Sequence, residues 1–454
     1  MTTQGFEKTK LPLTFIIVGA GLGGVAASIC LKLAGHNVKL LENAKELGEV
    51  GAGIQIPPPS TKILEAIGCL DKVSKASVHP KDILVHRYTG EIISQQNLIP
   101  HVQDKYQGQY LHIHRADYHK ILVDRAKELN VEIYLDSKVV AIDFEKTTVT
   151  TESGITHSGD IIVGYDGVRS TTRNLLTGRN DGAYDTGDLA YRALIDVEDM
   201  KKVTGLERFY ETPNITFHYG PNIHVVIYFL HQGQLCNVVV LCPDTLENNH
   251  FREEATKEEL LEMFKDWDQD LSKIFNLIKD VGKWKLQDSR ELDTWVHRDG
   301  GNVIILGDAS HSTLPYLASG ASQAVEDAAI LAGLFSKIES KDQIQDLLYL
   351  TENLRKWRSS QVVKGSKNCQ NIYHLPDGPK QQKRDSLLAG PKTLGYPNRF
   401  ADPVFQDFLW GYNAFDEIER GWKEYKAGIK STYNYPNLYL NGEEAEYANI
   451  NRTN

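Results

Sequence analysis

The chain has only five cysteines in 454 residues, an odd number with no pair at CxxC spacing. That excludes a disulfide framework or a cysteine-built zinc site as the basis of the fold, and it fits a reducing compartment. Blocks of consecutive basic residues are absent and the formal net charge is −10. Nucleic acid and anionic membrane surfaces are therefore poor candidates for the main partner. No segment approaches ~18 consecutive apolar residues, so no membrane span is expected. The opening residues, MTTQGFEKTKLPL, lack the apolar stretch of a signal peptide. Internal repeats and low-complexity tracts are also missing. A cytoplasmic globular protein is expected, and no metal ligand set stands out.

What is present is length and order. A chain of this size suits two domains or three. The β-branched run 15–18 predicts a buried parallel strand, 25–34 a helix that stops at Gly35, and 37–42 a second strand. Between the first strand and the helix lies Gly19-Ala-Gly21-Leu-Gly-Gly24, a G-x-G-x-x-G, and Glu42 closes the second strand. Each part has a physical reason. Gly19 permits the tight turn, Gly21 lets the backbone approach a pyrophosphate, and Gly24 allows close helix–strand packing. The helix N-terminus offers free N–H groups to the phosphates, and Glu42 can accept bonds from a ribose diol while disfavouring a 2′-phosphate.

Further elements follow. The glycine-rich stretch 48–54 and three prolines precede a helix near 60–67, and a helix is expected over 117–129 with Asp117 as N-cap. Strands are expected near 131–135, 147–151 and 160–163. The region 185–245 alternates strand-like runs, including 223–229 and 236–241, and reads as an antiparallel sheet. A strand at 302–306 and a long helix at 322–336 then return to the first pattern. The last hundred residues read as helix and irregular structure.

Two later motifs separate FAD from NAD. The run Asp160-Ile-Ile-Val-Gly164-Tyr-Asp166-Gly167-Val-Arg-Ser170 resembles the D-x-x-x-G-x-D-G-x-x-S element of flavoprotein aromatic hydroxylases. Directly after the 302–306 strand, Gly307-Asp308-Ala309-Ser-His311 resembles their G-D-A-x-H, in which the aspartate binds a ribityl hydroxyl of FAD. A lone Gly-Asp-Ala is more often a turn; here three motifs occur in order, each with the right flanks. From about residue 13 to about 385 the chain resembles a class A FAD-dependent aromatic monooxygenase, within the salicylate hydroxylase, hydroxybenzoate hydroxylase and hydroxynicotinate monooxygenase group. The stretch 51–55, the pair His114-Arg115 and the loop 314–321 carry that likeness.

The resemblance implies a Rossmann-like α/β FAD domain of the glutathione reductase type, an antiparallel substrate sheet and a helical C-terminal region. The expected division is 1–80, 106–182 and 285–360 for FAD, 81–105 and 183–284 for substrate, and 361–454 for the tail. It also implies that Arg115, Asp166 and Gly167 contact FAD and that Pro315, Gly320 and Ala321 pass beside the isoalloxazine. NADH or NADPH would supply electrons, and a flavin C4a-hydroperoxide would hydroxylate a small phenolic acid, a salicylate or a hydroxybenzoate, with or without loss of CO₂. A phenol reacts faster as phenolate, so a base is needed. His224 and Tyr228, four apart on one strand, face the same side, and histidine titrates nearest neutrality. Relatives carry His and Tyr at this spacing, although two core residues would show the same pattern. Arg192 resembles a position near the flavin. His311 reads as structural, Arg87 as a surface cation that could instead meet a substrate carboxylate, and Trp295 as core. A larger polycyclic phenol, an O₂-independent flavin reduction, or a non-catalytic dinucleotide-binding role stays open, and the assembly leaves room for a homodimer.

Overall fold

A computed structural model describes residues 5–48, 51–180, 182–247 and 250–432. Residues 49 and 50 of the glycine-rich stretch, and 433–454 of the tail, lie outside the described residues. The first strand, Thr14–Val18, sits at the centre of a five-stranded parallel sheet. Its neighbours are Ile161–Gly164 and Asn37–Leu41, flanked in turn by Val303–Ile305 and Glu132–Tyr134. Four stretches of chain thus converge on one sheet, because each short apolar run can be satisfied only between two covered faces. A pair of buried helices, Leu22–Leu33 and Gly320–Phe335, pack against each other beside it. Small residues make that contact close: a Cβ on Gly23 would meet the Tyr165 ring at 2.8 Å and Ala324 at 2.9 Å.

The second layer is an eight-stranded sheet in the order 252–255, 281–288, 184–196, 235–243, 223–230, 215–220, 82–87, 92–97. All its pairings are antiparallel except one, Ile215–Gly220 with Asp82–Arg87. The expected antiparallel sheet is therefore mixed at that point. Alternation of side chains has the same period in both pairings, so the sequence pattern did not distinguish them.

The tail packs as helices. Ile344–Tyr373 runs thirty residues and stops at His374, two residues before Pro376. Its Arg355 and Arg358 are fully buried against Glu326 and Asp327 of the 320–335 helix. Asp327 also accepts from the Gly307 N–H at 2.9 Å and from His311 Nε2 at 2.6 Å. Burial alone would raise the Asp327 carboxyl, but the His311 and Arg355 charges hold it down at about 2. This anchored carboxylate fixes the turn that carries Asp308. His311 is structural, as expected, and Trp295 is core at 1 % exposure.

One departure concerns the helix expected to begin at Asp117. It spans Arg115–Glu128 with His114 as N-cap, and Asp117 lies in its first turn. An acidic residue suits either place, because both put it against the positive end of the helix.

Four histidines, three of them buried and His374 half-buried, give the fold a pH dependence. Burial holds His36, His86 and His374 at about 4 and His112 at about 3, against an ordinary 6.5. Folded values below the unfolded one mean that the unfolded chain binds more protons across this window. The associated stability is complete above about pH 6.5 and drains away as pH falls toward 4, by on the order of several kcal/mol in sum. The urea midpoint should therefore drop between pH 7 and pH 5. An unchanged midpoint would contradict the assignment of neutral buried imidazoles.

Candidate active site

The turn after the first strand closes as its glycines require. Gly19 has φ +104°, and a Cβ there would lie 2.5 Å from the Tyr165 carbonyl oxygen. Gly24 is tighter still, since its Cβ would stand 2.0 Å from the Gly19 oxygen. Gly21 differs: nothing lies within 4 Å of its Cβ position, and it opens onto a cavity of ≈ 380 Å³. The Leu22–Leu33 helix begins there with no side-chain cap and no acidic residue in its first turn. Its first N–H groups are thereby left for an anion. Glu42 sits beside the same turn, its two oxygens accepting from the Ala20 and Ala44 N–H groups at 2.8 Å.

A second helix N-terminus reaches the same cavity. After the 3₁₀ turn Pro315–Leu317, Ala318 adopts φ +48°, and Gly320–Phe335 starts with no side-chain cap. The Ser319 hydroxyl donates to Leu317 O, so it does not occupy the N–H groups of this helix. Pro315, Gly320 and Ala321 all line the cavity. Tyr316 steadies the loop by donating to Asp188 at 2.5 Å, and Gln370 donates to the same carboxylate.

Asp308 and Arg115 line the cavity from opposite motifs. The Asp308 side chain is exposed within the cavity, and the surrounding protein raises its pKa by desolvation, partly offset by the His311 and Arg115 charges. Asp166 departs from expectation. Its oxygens accept from Ser170 Oγ at 2.5 Å and Thr172 N–H at 2.8 Å, so the carboxylate braces the first turn of the helix Thr171–Thr177, whose N-cap is Ser170. Gly167, not Asp166, lines the cavity. Asp166 shapes the loop.

The far wall comes from the eight-stranded sheet. His224, Val226 and Tyr228 alternate along Ile223–Leu230 and line the cavity together. Leu241 and Val239, their cross-strand partners, line it too. Tyr228 lies flat enough on the chain that a Cβ on Gly53 would sit 2.4 Å from its ring. Burial raises the Tyr228 hydroxyl, with the Arg192 charge pulling the other way. Arg192 itself lines the cavity half-buried, its pKa lowered by burial, with no ion-pair partner among the described residues. A desolvated guanidinium of this kind calls for an anion.

His224 is 1 % exposed and its Nδ1 lies 2.7 Å from His374 Nε2. Burial, and then the neighbouring His374, hold His224 well below the ordinary imidazole range. His374 and Phe400, which also lines the cavity, come from the tail, to which the sequence assigned no role. No motif marks either residue; His374 stands at the end of the helix 344–373, and Phe400 packs on Phe217 and Trp410. Arg87 is remote from the cavity and instead bridges Asp377 at 2.8 Å and Asp385 at 3.4 Å.

FAD fits this arrangement. The cavity joins an uncapped helix N-terminus at an open glycine, a carboxylate at a strand end and a second free helix N-terminus, the donors and acceptors a dinucleotide and its ring require. Gly21, Arg115, Asp308 and the loop that carries Pro315, Gly320 and Ala321 line the cavity, and Gly19, Gly24 and Glu42 shape the turn beside it.

Comparison with known proteins agrees. The FAD binding domain family matches residues 13–366. A FAD-dependent monooxygenase, OpS4, of Beauveria bassiana is 34% identical over 409 residues, covering 89% of this chain and 96% of that protein. A 3-hydroxybenzoate 6-hydroxylase of Polaromonas naphthalenivorans is 30% identical over 405 residues, with 88% and 96% coverage. Among solved structures, a salicylate hydroxylase substrate complex superposes with a TM-score of 0.77 at 22% identity, covering 91% of this chain and 98% of that one. No described helix is long and apolar enough to cross a membrane.

Proposed function

The chain belongs to the FAD binding domain family of flavoprotein aromatic monooxygenases, and from that premise we propose that it hydroxylates a small phenolic acid, a salicylate or hydroxybenzoate, using NADH or NADPH and O₂. The observation that carries the substrate class is the half-buried Arg192, without an ion-pair partner among the described residues, in the same cavity as His224. A guanidinium offers a bidentate fork to a carboxylate, and an imidazole kept neutral offers a lone pair to a phenol.

In this reading bound FAD supplies the oxygen chemistry after its reduction, and the protein governs the substrate. Arg192 orients the ring by its carboxylate. His224, with its own proton on Nδ1, takes the phenol proton at Nε2. Its Nδ1 proton then shifts toward His374 Nε2, 2.7 Å away. His374 is only half-buried, so the pair forms a path from the cavity toward solvent. Phe217, Leu241, Leu286 and Phe400 keep water from the ring. The strands around 81–105 and 183–284 present the substrate, and the remainder up to about 360 presents the cofactor.

The apolar wall also favours a second reading, in which the substrate is a larger natural-product phenol. A panel assay separates the two. NADH or NADPH oxidation coupled to O₂ uptake should be stimulated by salicylate or a hydroxybenzoate and yield a hydroxylated or decarboxylated product. Stimulation only by phenols without a carboxylate would favour the second reading, and no stimulated O₂ uptake by either class would overturn both.

A further inference from the structure

Away from the cavity, where the hairpin turn after Ile223–Leu230 meets the start of the helix Arg115–Glu128, two imidazoles and a carboxylate come together. We propose that His114, Asp117 and His231 form a binding site for a divalent transition cation of the Zn²⁺ class, joining the flavin-side helix to the substrate-side hairpin. One ligand atom from each residue lies within 4.8 Å of the others. His231 Nε2 and Asp117 Oδ2 are 2.8 Å apart, and the His114 and His231 ring centroids are 5.2 Å apart. Ligands on a tetrahedral zinc at bonds of about 2.0–2.2 Å stand roughly 3.3–3.6 Å from each other, so small side-chain rotations close the site.

Three features favour coordination over a simple contact. The ligand set, two imidazoles and one carboxylate, suits a borderline cation and not Mg²⁺ or Ca²⁺, which take oxygen. His114 hydrogen-bonds the Gly51 backbone, the arrangement that orients a ligating imidazole and leaves its other nitrogen for the metal. The hairpin is held in position as well. His231 and Gln232 occupy left-handed backbone at φ 48° and 56°, and Gln232 Nε2 donates to Lys75 O at 2.7 Å. All three ligands are half-exposed, leaving an entry path and room for water as the fourth ligand. The positive end of the helix opposes a cation, so the site depends on the full set of ligands.

The placement gives such an ion a structural role. Arg115, next to His114, lines the cavity, and the strand leading into the hairpin carries His224 and Tyr228. A cation here ties together the two walls of the active site without touching either reactant.

The test is calorimetric titration of the FAD-loaded, chelator-stripped protein with Zn²⁺. One equivalent should bind, releasing on addition of excess chelator. His231→Ala and Asp117→Asn should each weaken that binding by at least about tenfold while flavin content stays unchanged, which confirms that the variants are folded. Absence of stoichiometric binding, or binding equally strong in both variants, would overturn the proposal. Failure here leaves the flavin site untouched, because no cofactor or substrate contact enters the argument.

Discussion

Replacing Gly24 with alanine is expected to give a protein that is less stable and leaves purification without flavin. The added methyl would stand 2.0 Å from the Gly19 carbonyl oxygen, far inside contact distance. Alanine has no rotamer to relieve this, and the obstacle is backbone, so the turn or the helix must move. Overpacking of this kind costs about 1–3 kcal/mol in stability, sometimes more. Movement of the helix start also withdraws the N–H groups that face the cofactor. A loss of about 2.8 kcal/mol in binding is already a hundredfold in affinity. Gly21→Ala provides the contrast. Nothing lies within 4 Å of its Cβ position, so folding should be unaffected, yet the methyl would project into the cavity where the pyrophosphate is expected. Urea midpoints and flavin-to-protein absorbance ratios separate the outcomes: Gly24→Ala lowers both and Gly21→Ala lowers only the second. Full flavin content in Gly21→Ala would show that the pyrophosphate does not pass there.

The second large effect is expected at His224. Alanine in its place should lower kcat by about 10²–10⁴-fold, the range for loss of a positioned base, while FAD content stays unchanged. The folded pKa, held well below 6.5 by burial and by His374, keeps the wild-type base unprotonated into mildly acidic solution. The acid limb of the rate profile should thus fall below pH 6. His374→Ala removes the neighbour that depresses His224, so that limb should move to higher pH with a smaller loss of rate. A merely structural His374 would lower the rate without moving the limb. Unchanged turnover in His224→Ala would remove it from the chemistry and leave the cofactor site intact.

How much of this was legible in the sequence depended on how local the geometry is. The glycine turn is a strand–turn–helix unit whose residues contact one another within about thirty positions, so its spacing carried its meaning. The Asp308 turn was equally local. Asp166 was read from a motif that fixes the loop but not the direction of the carboxylate, and the structure turns it onto Ser170 and Thr172. His224 and Tyr228 shared a face by simple alternation, but what His224 bonds to did not follow from it. His374 lies 150 positions away at the end of a helix with no motif of its own. His114 and Asp117 were visible as neighbours, yet their third partner, His231, required the hairpin to fold back over them. The one parallel pairing in the large sheet was hidden for a related reason, since alternation fixes a face and says nothing of direction.

The central claim is that the opening glycine turn and the late Asp308 turn hold one FAD between them. The most direct test is titration of flavin-free protein with FAD, comparing the wild type with Asp308→Ala. The account predicts stoichiometric, tight binding by the wild type and a roughly 10- to 150-fold weaker affinity in the variant, the worth of a hydrogen bond to a charged group at about 1.5–3 kcal/mol. Failure of the folded wild type to take up FAD, or equal affinity in the variant, would contradict it.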